Sequence, residues 1–388
     1  MNKKKIAFVV YGLNYGGIER VCIDYIRLLK KNGYTIDLYV LNSKELDMRS
    51  EIPEDVNLII RPLSNFICPE TYWRLAVKYS WGKYLFLFPY VFFSVLLFVY
   101  KTIIGTREKY DIAIAFAGHI NDLTFVADGF VKAKKKVCWL HGGIHGYMAI
   151  GPSYQFLYQK IKNLVVLSDL VQDECLFFNR QLDLNIRKIY NPSFIASKKV
   201  DKKEVSDIQE RYGDFIVMVA RLTPPKNHLG LIKAMEYLYD KYGFEYNIVF
   251  VGDGRLRNML IEYASKSHIG KHIFFAGNQS NPQNYYAAAK MFALSTISEG
   301  LPTVLIEAAF FGLPLVASQA SVHEIMGSNE YGLVAPIYDD KKFGEHIYRI
   351  LSNEEDYSKF SKLAKMRFNE FTPEVISKQL EDFFNKLK

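Results

Sequence analysis

Residues 6–41 read IAFVVYGLNYGGIERVCIDYIRLLKKNGYTIDLYVL, and the order of apolar runs in this stretch decides the fold class. Ile6–Tyr11 is a continuous apolar run that ends at Gly12. It lacks the two-residue alternation of a half-exposed strand, so it reads as a strand buried on both faces of a parallel sheet. From Ile18 the residues Val21, Cys22, Tyr25, Leu28 and Leu29 recur at helical spacing until Asn32–Gly33 stops the helix. Ile36–Leu41 is the next strand and completes a β-α-β opening. Further apolar strands are expected at Val56–Ile60, Asp111–Phe116, Lys136–Leu140 and Asn163–Leu167. Strands alternating with helices predict a doubly wound α/β domain.

The pattern then restarts. Asn191–Pro192 and the polar stretch Ser197–Lys203 read as a linker, and Phe215–Ala220 as a new first strand. Asn247–Val251, His272–Phe275, Met291–Leu294 and Leu315–Ala317 follow, each paired with a helical segment. Two Rossmann-like domains are expected, at 1–192 and 193–372, with the amphipathic end of the chain, 373–388, packing back on the first. A chain of 388 residues that is 49% hydrophobic can fill two such cores and is not disordered.

A formal charge of +8 favours anionic partners. Phosphorylated substrates and anionic headgroups come before nucleic acid, because there is no zinc-finger spacing and no arginine-rich arm. Cys22, Cys68, Cys138 and Cys175 form no CxxC pair and read as buried thiols of a reducing compartment. The N-terminus carries only a short apolar run and no small-residue cleavage site, so a cytoplasmic location is expected. Tyr84–Tyr100 breaks the α/β pattern: it has no charged residue, contains Pro89 and is flanked by Lys83 and Lys101. A buried helix, a helix lying in the membrane surface with Phe92 and Phe93 facing the leaflet, and a transmembrane span are the three alternatives.

Four segments carry chemistry. In Ser298–Pro314, SEGLPTVLIEAAFFGLP, a tight loop leads into a helix that starts at Pro302 and ends at Gly312–Pro314. The N–H groups of that helix start suit a phosphate or sugar hydroxyl, and Glu299 and Glu307 can accept from sugar hydroxyls. In Val219–His228, VARLTPPKNH, Arg221 follows a strand and Lys226 is expected to begin the next helix. Two fixed cations there can neutralise a diphosphate. Asn14–Arg20, NYGGIER, places Gly16 and Gly17 at a helix start, where a tight turn and a phosphate site are equally consistent; the spacing is not GxGxxG. Trp139–Gly143, WLHGG, sets His141 at a strand end. The loop Gly118–Asp122, with His119 and Asn121, also follows a strand and is expected to touch an acceptor.

Together, GGIER, HGG, VARL…KN, VGDG, FAGNQ and SEGLPTVLIEA resemble the retaining nucleotide-sugar glycosyltransferases of family 4, whose GT-B fold sets two Rossmann-like domains across a cleft. The likeness covers most of the chain and is most specific over residues 216–320. It implies a donor site mainly in the second domain. Arg221 and Lys226 would hold the diphosphate, Glu307 the ribose and Glu299 the donor sugar, with Gly300, Leu301 and Thr303 beside them. Asn278 and Gln279 would meet the base. Gly16 and Gly17 would close on the phosphates, and His141 would lie near the reacting sugar. Glu299, Arg221, Lys226 and His141 form the implied catalytic set. No cofactor and no metal are implied. The expected task is transfer of a hexose or N-acetylhexosamine from a UDP-sugar to a lipid-linked or glycan acceptor for bacterial surface polysaccharide, with retention, at the inner face of the cytoplasmic membrane. A non-catalytic carbohydrate-binding protein of the same fold is the alternative. An NAD-dependent oxidoreductase fits poorly without GxGxxG.

Overall fold

The apolar run behind the N-terminal lysines forms β1 (Lys5–Val10), buried at every residue after Lys5. In this computed structural model, which describes residues 4–142, 153–299, 301–320 and 322–388, β1 opens the first of two compact units. That unit comprises Met1–Pro192 with Pro373–Lys388, and the second comprises Ser193–Thr372.

After β1 the first unit continues through α1 (Gly17–Lys31), β2 (Thr35–Val40), β3 (Asn57–Ile60), α2 (Pro69–Lys78), α3 (Gly82–Ile104), β4 (Lys109–Ala115), α4 (Ile120–Ala127), β5 (Lys132–Leu140), α5 (Ser153–Ile161), β6 (Asn163–Val166), α6 (Asp169–Leu182) and β7 (Asn185–Lys188). All neighbouring strands run parallel in the order β3-β2-β1-β4-β5-β6-β7. The order reverses between β1 and β4, which places the topological switch point, the usual ligand crevice of such sheets, at their C-terminal ends. Asn32 caps α1, and Gly33 takes φ +83°, a backbone conformation open to glycine.

The second unit contains α7 (Lys202–Tyr212), β8 (Phe215–Val219), α8 (His228–Tyr242), β9 (Asn247–Val251), α9 (Arg257–Lys266), β10 (Ile273–Gly277), α10 (Pro282–Ala288), β11 (Met291–Leu294), α11 (Thr303–Phe310), β12 (Leu315–Ser318), α12 (His323–Met326), β13 (Leu333–Ala335), α13 (Asp340–Leu351) and α14 (Glu354–Phe368). Its parallel sheet has the order β10-β9-β8-β11-β12-β13, with the reversal between β8 and β11. The chain then returns to the first unit as α15 (Pro373–Asn385), which buries Ile376, Leu380, Phe383 and Phe384. The Phe384 ring meets Tyr34 edge-on at 6.0 Å, and Lys4 Nζ donates to the Phe384 carbonyl at 2.9 Å.

The structure departs from or adds to the sequence reading at three points. Lys226 does not begin a helix: it closes a short 3-10 turn, Pro224–Lys226, and α8 starts at His228 after the left-handed Asn227. Edge strands β7 and β13 were not anticipated; both are short, and β7 is half-exposed. Tyr84–Tyr100 is not a core helix, because within α3 only Gly82 and Leu97 are buried. The four cysteines are free and buried, as expected, and burial raises each thiol pKa.

Candidate active site

The second unit's switch point lies where the loops that carry Arg221, Lys226 and Glu299 leave β8 and β11. The loop after β8 is stitched to the loop after β9: Ala220 N–H donates to Val251 O, Leu222 N–H to Asp253 O and Leu256 N–H to Leu222 O, each at 3.0 Å. Gly252 makes this possible, since at φ +135° a Cβ would run into the Ala220 carbonyl oxygen. On the other side the chain leaving β11 holds the 3-10 turn. Ser295 Oγ donates to Asn227 O at 2.7 Å, and both Thr296 Oγ1 and Ile297 N–H reach Pro225 O at 2.8 Å. These fixed loops set Lys226 beside Glu299, and the ammonium and carboxylate form an ion pair whose side chains are mostly covered. Arg221 is exposed on the same β8 loop and has no carboxylate partner among the described residues. An anion entering here meets one open cation and one whose partner must give way.

Glu307 lies on the second turn of α11, whose first residue is Thr303 and whose N-cap is Pro302 rather than a side-chain acceptor. It accepts from Tyr286 Oη at 3.1 Å and has Lys198 Nζ at 3.9 Å. Tyr286 is fully buried, which raises its phenol pKa far out of reach, so it remains a donor that orients the carboxylate. Sequence pattern missed Tyr286 and Lys198: one lies in an unremarkable helix and the other in what reads as linker. At the end of β10, Gly277 takes φ +73°, Asn278 is exposed, and half-buried Gln279 donates its Nε2 to the Ala276 carbonyl at 2.6 Å. Leu301 is buried, and Gly300 lies outside the described residues.

In the first unit, Gly16 is the N-cap of α1 in extended conformation and Gly17 its first residue, with open space where a Cβ would stand. His141 follows β5. Its Nε2 lies 2.8 Å from the Phe116 carbonyl at the end of β4, and its ring lies 4.9 Å from that of Phe116. Burial lowers its pKa to about 4. At neutral pH the imidazole is uncharged, with Nε2–H donating to the carbonyl and Nδ1 an acceptor. Gly143 lies outside the described residues. His119, the N-cap of α4, is exposed, whereas Asn121 is 1% exposed and turns its Oδ1 to the Asp122 N–H at 3.0 Å. That burial removes Asn121 from the residues expected to touch an acceptor. The Asp122 carboxylate, unnoticed in the sequence, shapes this loop by accepting from Ala117 N–H and Gly118 N–H at 2.8 and 2.9 Å, and burial raises its pKa. Among the described residues no cluster of three His, Cys, Asp or Glu is placed to hold a metal ion.

The family model described as "Glycosyl transferases group 1" matches residues 201–367, which contain the β8 and β11 loops. Over 373 residues, 95% of this chain and 94% of the relative, the sequence is 30% identical to GalNAc-alpha-(1->4)-GalNAc-alpha-(1->3)-diNAcBac-PP-undecaprenol alpha-1,4-N-acetyl-D-galactosaminyltransferase of Campylobacter jejuni. The chain belongs to the group 1 glycosyltransferases. This glycosyltransferase is also 24% identical to the amylovoran biosynthesis glycosyltransferase AmsD of Erwinia amylovora over 98% of its own length and 99% of the relative's. Its fold is GT-B: Anabaena HepE, crystallised with UDP, superposes with a TM-score of 0.75 over 99% of this chain and 100% of that one, at 18% identity.

Proposed function

We propose that this glycosyltransferase moves a hexose or N-acetylhexosamine from a UDP-sugar to a lipid-linked or glycan acceptor of bacterial surface polysaccharide, with retention at the anomeric carbon. The observation that carries the donor half is the Lys226–Glu299 ion pair at the switch point between β8 and β11, with Arg221 exposed on the same β8 loop and Glu307 of α11 held by Tyr286. Two cations on one loop suit the charge of a diphosphate. Glu307, fixed by one donor and with acceptor capacity left over, suits a ribose diol, and Glu299 suits hydroxyls of the sugar. Support for the acceptor half comes from the relatives' names, one an amylovoran synthesis enzyme and one acting on an undecaprenol diphosphate glycan, and support for UDP from the HepE complex.

In the proposed step the bond between C1 of the sugar and the diphosphate oxygen breaks as the acceptor oxygen bonds C1 from the same face. The acceptor's proton passes to the departing phosphate oxygen. Arg221 and Lys226 stabilise the charge that grows on that oxygen, where preorganised cations act most strongly. His141, uncharged, supplies no proton at pH 7. The step needs no metal.

Thermal shift with UDP-, GDP- and ADP-sugars tests the reading, since a ligand bound only by the folded protein raises its melting temperature. One nucleotide diphosphate class should stabilise the protein and be released slowly by hydrolysis even without acceptor. Failure of all three to bind would overturn the donor assignment, and binding without any release or transfer would favour a carbohydrate-binding protein.

A further inference from the structure

Helix α3 is apolar on the wrong side for a soluble protein. Its inner face packs on α2: Tyr72 stacks on Phe93 with centroids 4.7 Å apart, and Trp73 meets Tyr90 at 5.5 Å. Phe93 therefore points inward, contrary to expectation. The opposite face is open. Tyr84, Phe88, Phe92, Val95, Phe98 and Val99 are all exposed, Phe88 by 77% and Phe98 by 70%. At 3.6 residues per turn they occupy a single arc of about a third of the helix circumference. A continuous apolar face of this extent marks a binding surface.

Charge identifies what covers it. Residues 71–107 contain no Asp or Glu, but carry Arg74, Lys78, Lys83, Lys101 and Arg107. Lys78 and Lys83 are exposed at the α2–α3 turn, beside Tyr79 and Trp81, which stack at 5.2 Å. Exposed aromatics with basic neighbours at the end of an apolar face match the headgroup zone of an anionic bilayer. A second copy of the chain would set the same positive rim against itself. The helix does not cross the bilayer. Leu97, Tyr100 and Ile104 are packed in the core of the first unit, and Lys101 Nζ is tied to Asp128 O at 2.6 Å. Residues 82–96 alone are left, about 22 Å of helix against a hydrocarbon core of about 30 Å.

We propose that the outer face of α3 seats the protein in the surface of an anionic membrane, with the α2–α3 turn at headgroup level and Phe88, Phe92 and Val95 in the acyl boundary. This deepens the acceptor half of the proposed function and rests on it only for the purpose of the contact; the contact itself is independent of sugar chemistry.

Flotation of the full chain with phosphatidylcholine vesicles, with and without about a third phosphatidylglycerol, tests it. Anionic vesicles should carry the protein up, and high salt should weaken capture without abolishing it. Phe88→Asp with Phe92→Asp should lower partitioning more than about tenfold. Lys78→Glu or Lys83→Glu should each lower it about fivefold or more at low salt only. Quenching of Trp81 by brominated lipid, lost in Trp81→Phe, gives a second readout should the Phe variant fold poorly. Wild-type protein left in the soluble fraction on anionic vesicles at low salt, or unaltered capture of both the Phe and Lys variants, overturns the proposal. So does concentration-dependent dimerisation that the Phe88/Phe92 variant abolishes. Capture with no nucleotide-sugar turnover would sink the proposed function and leave this contact standing, while turnover on a soluble acceptor without capture would do the reverse.

Discussion

Replacing Lys226 with alanine perturbs two things at once, and their sizes can be separated. In the ligand-free protein the ammonium is neutralised by Glu299, with side-chain exposures of 21% and 12%. Lys226→Ala strands a mostly covered carboxylate, which costs about 2 kcal/mol, below the 3–5 kcal/mol of a fully buried pair. For a unit of this size that is a fall of about 4–8 °C in melting temperature. The variant also removes a cation from the leaving diphosphate, so turnover should drop by at least about a hundredfold, or 2.7 kcal/mol of barrier. Arg221→Ala serves as the control: exposed on its loop, it should melt as wild type yet lose turnover to a similar extent. Glu299→Gln separates the roles further. It frees Lys226 from its partner, so free UDP should bind about two- to fivefold more tightly, while sugar transfer falls with the lost carboxylate. The measurements are differential scanning fluorimetry, calorimetry with UDP and initial rates of nucleotide release. Near-normal turnover in both Lys226→Ala and Arg221→Ala, or weaker UDP binding in Glu299→Gln, would refute the phosphate assignment.

Two further outcomes are expected. Glu307→Gln should weaken free UDP by about 1.5–3 kcal/mol, the worth of a charge-assisted hydrogen bond, and Tyr286→Phe by less, because Tyr286 only orients the carboxylate; unchanged calorimetric affinity in Glu307→Gln would place the ribose elsewhere. Burial lowers both His141 and His228 to a pKa of about 4, against about 6.5 in an unfolded chain. Between these values the unfolded state binds protons that the native state does not, so stability rises with pH from 4 to 6.5 and is complete above it, by up to about 1.4 kcal/mol per pH unit for each histidine. Denaturant melts of wild type and His228→Gln across that window should show the variant's slope to be shallower, and equal slopes would remove His228 from the account.

Much of the fold was legible because strands buried on both faces must be apolar throughout. Met291–Leu294 and Asn247–Val251 announce themselves in this way, and Gly33 marks the end of α1 because few other residues accept its backbone conformation. The loops after β8 and β11 were also legible as a candidate site, since loops built to approach a phosphate need glycine, proline and fixed charge in close succession. Asn185–Lys188 was not, because an edge strand has one open side and needs no apolar run. Strand order is a matter of pairing between distant residues, so only the tertiary structure put the β8 and β11 loops side by side and joined Lys226 to Glu299, 73 positions away. The same holds for Tyr286, an ordinary residue until folding brings its hydroxyl to Glu307. Composition made Tyr84–Tyr100 apolar without saying what it faces. Which half of α3 is core and which is open depends on where α2 and the first sheet lie, and that placement exists only in three dimensions.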